Sequence, residues 1–427
     1  MPDNKTEHER PTRRDYLIYG GGVVSSTLLA GCTSDSDSST GTSDGTDSTP
    51  TDTPTATPTA TPAGTEETET KTATPEDKGY SATISPVGTV DFESVPESVF
   101  TVFSQYTDMA VALGHGDAVN AMYVPKMAGT TMNHYYHHLT GVDFEWEGLY
   151  DPLNAGIPKE KLYSLDSDIH LVDPAWVSTQ NNWSEDDAAE IAEQVAPWFG
   201  NFYSGTHDSP PEGYDDYEFY NLWELFDRVS QVFDKRDRYN ALAQVHTDLV
   251  ETIQNDLPPV EDRPTAVRVS IAADGESFYT YHLNKPGYWL ADTRPLGAVD
   301  AFEAQNWDGL WGEVDFELMA ETDPDVILHL WGITPARSMD EMRSTLQDHP
   351  VGRTLSAVKN DRVYAQGMRY QGPIMNLFQM EMTAKQLYPD RFGEWPMYSD
   401  GERYPDIPAD EQLFNRQRVA DIINGEN

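Results

Sequence analysis

Asn133-His134-Tyr135-Tyr136-His137-His138 is the densest run of ligating side chains in the sequence. Three imidazoles and two phenols are donors that suit a transition metal or haem iron, and His134 and His138, four residues apart, share one helical face. No acidic residue or second histidine pair completes a pattern such as HExxH, so the run reads better as an exposed aromatic loop or helix. Asp323 and Asp325 offer another chemistry, since two carboxylates with a histidine could serve a hydrolase. No nucleophile elbow, phosphate-binding loop or Ser/His/Asp order accompanies them. The one cysteine, Cys32, allows no intrachain disulfide and no cysteine-rich metal site.

The elements that would position such residues repeat. Val314–Trp331 reads as an amphipathic helix, a break at Asp323-Pro324-Asp325 and a buried strand, Val326-Ile327-Leu328. Lys159–Leu171 has the same pattern. In both stretches a Glu precedes an Asp by eight residues, Glu160 with Asp168 and Glu317 with Asp325. A unit used twice predicts two similar lobes. The spacing predicts a strand at Phe100–Phe103, a loop at Ser104–Thr107, a helix at Met109–Leu113 and a strand from Ala118 to Val124, which make a βαβ unit. Open α/β sheets bind ligands at the carboxyl ends of strands. Ser104, Gln105 and Tyr106 are therefore candidates for a binding loop, against the alternative of a surface turn. Trp176 follows the strand Ile169–Val172 in the same way. Leu222 to Phe233 and Leu242 to Ile253 keep helical spacing until Pro258-Pro259, which predicts two long helices between the lobes. Strands are expected at Ala266–Ile271 and Ser277–Leu283. A closing helix is expected at Asn376–Tyr388, with Leu377, Met380, Ala384 and Leu387 on one face, and a last helix at Glu411–Ile423.

The charge is extreme. Asp and Glu number 72 against 28 Lys and Arg, a formal net charge of −44. No basic face is available for nucleic acid. Acid excess spread along the whole chain, with few lysines, predicts adaptation to high salt, where screening removes most of the self-repulsion. Thr12-Arg13-Arg14-Asp15-Tyr16-Leu17 looks like a twin-arginine export signal. The apolar stretch after it ends in Leu29-Ala30-Gly31-Cys32, which looks like a lipobox, so Cys32 is the expected lipid-bearing residue. From Thr33 to Gly79 there is no Val, Ile, Leu, Met, Phe, Trp or Tyr. Such a segment cannot bury a core and is expected to act as a disordered tether with a reach on the order of 40 Å. Asn182-Trp183-Ser184 is an N-glycosylation sequon. The expected layout is signal 1–32, tether 33–79, first α/β lobe 80–218, connecting helices 219–257, second α/β lobe 258–393 and a helical extension 394–427.

The segments Ala357-Val358-Lys359-Asn360-Asp361-Arg362-Val363-Tyr364 and Ala384-Lys385-Gln386-Leu387-Tyr388-Pro389-Asp390-Arg391-Phe392-Gly393, with the two Glu/Asp units, resemble the substrate-binding proteins of ABC importers for iron–siderophores, haem and cobalamin, in a haloarchaeal lipoprotein form. The resemblance covers roughly residues 85–393. It implies the class III periplasmic-binding-protein fold: two Rossmann-like α/β lobes joined by a long rigid helix, with the ligand between them. It implies that Glu160 and Glu317 dock on arginines of a dimeric permease served by ATPase subunits. It also implies a cleft lined by Tyr106, Trp176, Tyr281, Arg294, Trp331, Arg369 and Tyr370. Arg369 leads these, because Gly367-Met368-Arg369-Tyr370-Gln371-Gly372-Pro373 follows a strand and an Arg fork can hold a carboxylate or catecholate oxygen pair. The expected ligand is an Fe(III) chelate, with cobalamin or haem as alternatives, and neither catalysis nor a resident cofactor is expected. A tethered hydrolase and a structural surface protein are the competing readings.

Overall fold

The computed structural model describes residues 79–426, apart from Ala155, Ala273, Asp274, Asp308 and Ala336. The export signal, Cys32 and the tether up to residue 78 lie outside the described residues. An antiparallel hairpin, β1 (Tyr80–Ile84) and β2 (Gly88–Phe92), comes first. The first lobe then runs β3 (Val99–Thr101), α1 (Ser104–Ala112), β4 (Val119–Ala121), α2 (Pro125–Tyr136), α3 (Lys159–Leu165), β5 (Ile169–Leu171), α4 (Pro174–Val177) and α5 (Glu185–Gln194). Its sheet is all parallel, in the order β4-β3-β5. Strand β3 is buried along its whole length, as expected of a central parallel strand covered on both faces. Helix α5 begins with a reciprocal capping box between Ser184 and Asp187, and three acids in its first turn favour the positive end of the helix dipole.

Helices α6 (Leu222–Val232) and α7 (Arg236–Asp256) leave the first lobe. The second lobe follows with β6 (Thr265–Ile271), β7 (Ser277–Tyr281), β8 (Val299–Asp300), β9 (Trp311–Asp315), α8 (Phe316–Thr322), β10 (Val326–His329), α9 (Met339–Asp348), α10 (Ser356–Lys359), β11 (Val363–Ala365), α11 (Pro373–Leu387) and α12 (Pro389–Phe392). Helix α13 (Arg416–Asn424) lies in the extension. The sheet order is β11-β10-β6-β7-β9, with β8 also on β6. Strands β6, β8, β10 and β11 pair in parallel, while β7 alone is reversed and pairs antiparallel with both β6 and β9. The second sheet is thus larger and mixed, and the lobes are alike only at their centres.

At those centres the repeat holds residue for residue at an offset of 157 (Glu160 to Glu317). Helices α3 and α8 both have seven residues, and both end on an Asp in the left-handed region, Asp166 at φ 49° and Asp323 at φ 38°. Leu162 and Met319 are the matching buried residues. Asp168 Oδ2 accepts the N–H groups of Glu97 and Ser98, which lead into β3, at 2.8 and 2.9 Å. Asp325 Oδ2 accepts the Thr265 N–H at the start of β6 at 2.9 Å and its hydroxyl at 2.8 Å. The Asp of each unit therefore pins the strand opening to the parallel neighbour. Asp323 accepts the Ser356 N–H and hydroxyl, both at 2.7 Å, and these bonds hold its carboxyl below the usual range. A carboxylate bound in this way acts as a structural cap, and Asp323 and Asp325 both serve the backbone here.

One expectation needs correction. Ser104–Thr107 is the first turn of α1 rather than a loop, because the helix begins directly after Phe103. Helix α11 has no polar face, since all fifteen of its residues are buried. It lies centrally, packed against α1, α2, α6 and α7. Its polar side chains find partners far away in sequence. Glu381 accepts from Arg416 and the Tyr404 hydroxyl at 2.7 Å each and from the Leu413 N–H at 2.6 Å. The Trp223 indole donates to Asn376 Oδ1 at 3.1 Å.

The extension packs against the His/Tyr run. Tyr135 and Tyr136 are fully buried. His138 Nε2 lies 2.7 Å from the Tyr404 carbonyl, and His137 Nδ1 lies 2.9 Å from Arg403. Among the described residues no group of three or more His, Cys, Asp or Glu is placed to hold a metal ion. The run is a packing surface for the extension, and α13 continues that contact onto α7.

Candidate functional site

Arg369 sits four residues past the end of β11, with only 4% of its surface exposed. Its Nη1 donates to the Tyr281 hydroxyl at 2.6 Å and its Nη2 to the Tyr370 hydroxyl at 2.7 Å. The guanidinium carbon lies 4.5 Å over the Trp289 ring and 4.7 Å over the Tyr370 ring. Burial works against the charge and the two phenols favour it. The balance holds Arg369 above its ordinary pKa, so the cation persists at any working pH.

Around this cation the lobes meet through rings. The Tyr370 ring lies 4.8 Å from Phe103, 5.3 Å from Trp289 and 5.9 Å from Trp331. Phe103 lies 5.0 Å from both Trp176 and Phe202, and Phe202 lies 5.9 Å from Trp289. Phe103, Trp176 and Phe202 come from the first lobe, and Tyr281, Trp289, Trp331, Arg369 and Tyr370 from the second. The Ser104 hydroxyl, donating to the Tyr370 carbonyl at 2.8 Å, adds a polar link between the lobes. The result is a buried, aromatic-walled contact around the Arg369 cation.

Two bulky residues hold left-handed backbone here. Val124 has φ 44° just past β4, and Trp331 has φ 65° just past β10. β-Branched and aromatic residues rarely adopt that region, and such strain concentrates at ligand clamps. Trp331 is held by its N–H, which donates to the Gly367 carbonyl at 2.9 Å. Position 367 must be glycine, because a Cβ there would overlap Gln379 Oε1 and the Tyr135 hydroxyl.

Buried carboxylates brace the contact. Asp108 on α1 accepts the N–H groups of Ile374 and Met375 at the start of α11, together with the Tyr136 hydroxyl. Burial outweighs these donors and pushes Asp108 up to about 7. Asp173 accepts the Phe202 N–H at 2.7 Å and the Tyr217 hydroxyl at 2.5 Å, which fixes the Phe202 loop, and burial pushes it up to about 6. In the second lobe Arg268 grips Asp292 through two 3.0 Å bonds and the Trp289 carbonyl at 2.9 Å.

Of the residues singled out from sequence, Trp176, Tyr281, Trp331, Arg369 and Tyr370 come together here. Tyr106 lies behind the wall, where its hydroxyl accepts the Asn201 N–H at 2.7 Å. Arg294 does not join the cluster. It donates to the Lys285 and Gly287 carbonyls and lines a separate pocket against α7. Glu160 and Glu317 are exposed, each the second residue of its helix. Sequence reasoning missed Phe103, Phe202 and Trp289. The signal that marked Arg369, aromatics between glycines, was also present in Gly200-Asn201-Phe202-Tyr203-Ser204-Gly205 and Gly287-Tyr288-Trp289.

A family model for periplasmic binding proteins matches residues 99–370, and the chain belongs to that family. It is a binding protein built on two α/β lobes, and the aromatic contact lies where the lobes meet. Solved structures share the fold. A periplasmic binding protein from Veillonella parvula DSM 2008 is 16% identical, with TM-score 0.51 over 75% of this chain and 95% of its own. The TroA-like periplasmic binding protein FepB from Veillonella parvula is 14% identical, with TM-score 0.52 over 73% and 91%. The heme binding protein HmuT is 16% identical, with TM-score 0.50 over 75% and 93%. At such identities the likeness is one of fold. No curated protein matches the chain in sequence.

Proposed function

We propose that the protein captures an anionic metal chelate, foremost an Fe(III)–siderophore, between its two lobes and delivers it to an ABC permease driven by ATPase subunits. The observation that carries this reading is the buried Arg369 fork, bonded to two phenols and stacked on rings at the meeting of the lobes. A catecholate or carboxylate pair can take over both of those hydrogen bonds. The surrounding apolar rings lower the local dielectric and strengthen the ionic contact. The aromatic wall also suits a flat macrocycle, and one fold relative is a heme binding protein, which makes haem the second reading. In molar KCl, ferric catecholate should quench tryptophan fluorescence saturably, since Trp176, Trp289 and Trp331 line the contact. Saturation by cobalamin alone would defeat the iron reading, and saturation by haem alone would favour the second.

Delivery rests on Glu160 and Glu317. Both are exposed, and both are carried at the same position of a repeated helix. Two carboxylates held apart by a stiff fold can address the two halves of a permease dimer. The double substitution Glu160→Ala/Glu317→Ala should cut uptake severely and leave chelate affinity unchanged. Uptake at the unsubstituted level would remove the docking role.

Twin-arginine export through Arg13 and Arg14, lipid attachment at Cys32 and a tether over 33–79 would hold the module at the outer face of a membrane in a high-salt medium. No helix among the described residues is long and apolar enough to cross a membrane. Cys32→Ser should move the protein from the membrane fraction to the medium, and continued membrane association would argue against the lipid.

A further inference from the structure

The pocket that Arg294 lines shares no residue with the Arg369 cluster and has a chemistry of its own. It is an open pocket of about 590 Å³ between α7 and the second lobe, where His246, Gln254, Arg263, Arg294 and Gly297 are among its lining residues. Arg263 donates Nε to the Pro258 carbonyl at 3.0 Å and Nη1 to the Gly297 carbonyl at 3.1 Å. A side chain at position 297 would collide with Arg263 Nη1, so the glycine admits the guanidinium. Arg294 donates Nη1 to two carbonyls, at 3.3 and 3.4 Å. Each fork is thus held in place by backbone oxygens and keeps further N–H groups for an incoming acceptor. Among the described residues neither arginine forms an ion pair with a carboxylate; the arginines that do are Arg236, Arg268, Arg343, Arg391 and Arg416. The lining of this pocket thus carries two cations and no acidic residue. His246, stacked on Trp223 at 4.3 Å and lowered to about 4 by burial, adds no charge.

We infer that this pocket binds a small oxyanion, a polycarboxylate or a phosphate group, clasped between Arg263 and Arg294. Guanidinium forks fixed in advance lose little entropy on binding and match the paired oxygens of either group. The site is distinct from the chelate site and is occupied independently of it.

The test is calorimetric titration of the full chain in molar KCl with citrate and with inorganic phosphate. The wild-type protein and Arg369→Gln should bind one or both anions saturably. Arg263→Gln and Arg294→Gln should each bind roughly tenfold or more weakly, the loss expected for one hydrogen bond to a charged group. Should Arg263→Gln fail to fold, Arg294→Gln decides, since that side chain is half-buried at the pocket wall. Non-saturable heats with both anions, or affinity unchanged in Arg294→Gln, would overturn the site. Binding lost in Arg369→Gln but kept in Arg294→Gln would place the anion at the chelate site, which also overturns this inference and leaves the chelate reading intact.

Discussion

Arg369→Gln should weaken ferric catecholate binding by about a hundredfold to a thousandfold. Two hydrogen bonds to a charged group are worth about 1.5–3 kcal/mol each, and one kcal/mol or so of cation–π attraction goes with them. Part of that is recovered by the amide, which leaves roughly 3–4 kcal/mol. Gln can still bond the hydroxyls of Tyr281 and Tyr370, so the fold should survive, and circular dichroism checks that. Arg369→Lys keeps the charge but loses the planar fork, and should recover only part of the affinity. Fluorescence titration of the three proteins in one salt supplies the comparison. Equal affinities would take Arg369 out of the site, and the chelate reading would lose the observation that carries it.

Asp292→Asn should cost about 3–5 kcal/mol of stability. Arg268 is 1% exposed and Asp292 fully buried, joined by two bonds of 3.0 Å. The amide keeps the shape and removes the charge, which leaves a guanidinium buried without its counter-ion. Gln371 donates to the same carboxylate at 2.8 Å, so the loss spreads toward the loop that carries Arg369. Arg268 also holds the Trp289 carbonyl, so the ring under Arg369 should loosen as well. Denaturant unfolding at fixed KCl measures the effect. A change under about 1 kcal/mol would mean that the interior solvates the cation far better than its burial implies.

The repeated Glu/Asp units were legible in the sequence because each obeys local rules: a short helix, a left-handed Asp, a buried run. Those rules placed Asp168 and Asp325 at strand openings, and the structure adds the strands they pin. Helix α11 was legible as a helix, but its complete burial was not, because its polar residues are answered from afar. Nothing near Glu381 announces that Arg416 will cover it, and Asn376 meets Trp223 from another helix. Arg294 was misplaced for a related reason. A cation in a loop following a strand looks the same whether it turns to the cleft or to α7. Ser104–Tyr106 was read as a loop because polar residues after a strand suit a turn, yet burial let the helix start at once. The rings of the site were half found. Trp331 and Tyr370 follow parallel strands, whereas Phe202 and Trp289 come from irregular segments whose course only tertiary contacts fix.

The contact of Glu381 with Tyr404, Leu413 and Arg416 also sets an order of events during synthesis. A ribosome that has made the chain as far as Gly393 has produced both sheets and the whole of α11. At that moment the only cation near the Glu381 carboxylate is Lys385 on its own helix, and the three donors that cover it, from Tyr404, Leu413 and Arg416, are still missing. Tyr404 and Arg416 must emerge before the interior closes. The final packing of α11 is therefore expected to wait for the extension. For a protein that must hold two lobes in register, this delay couples completion of the fold to completion of the chain.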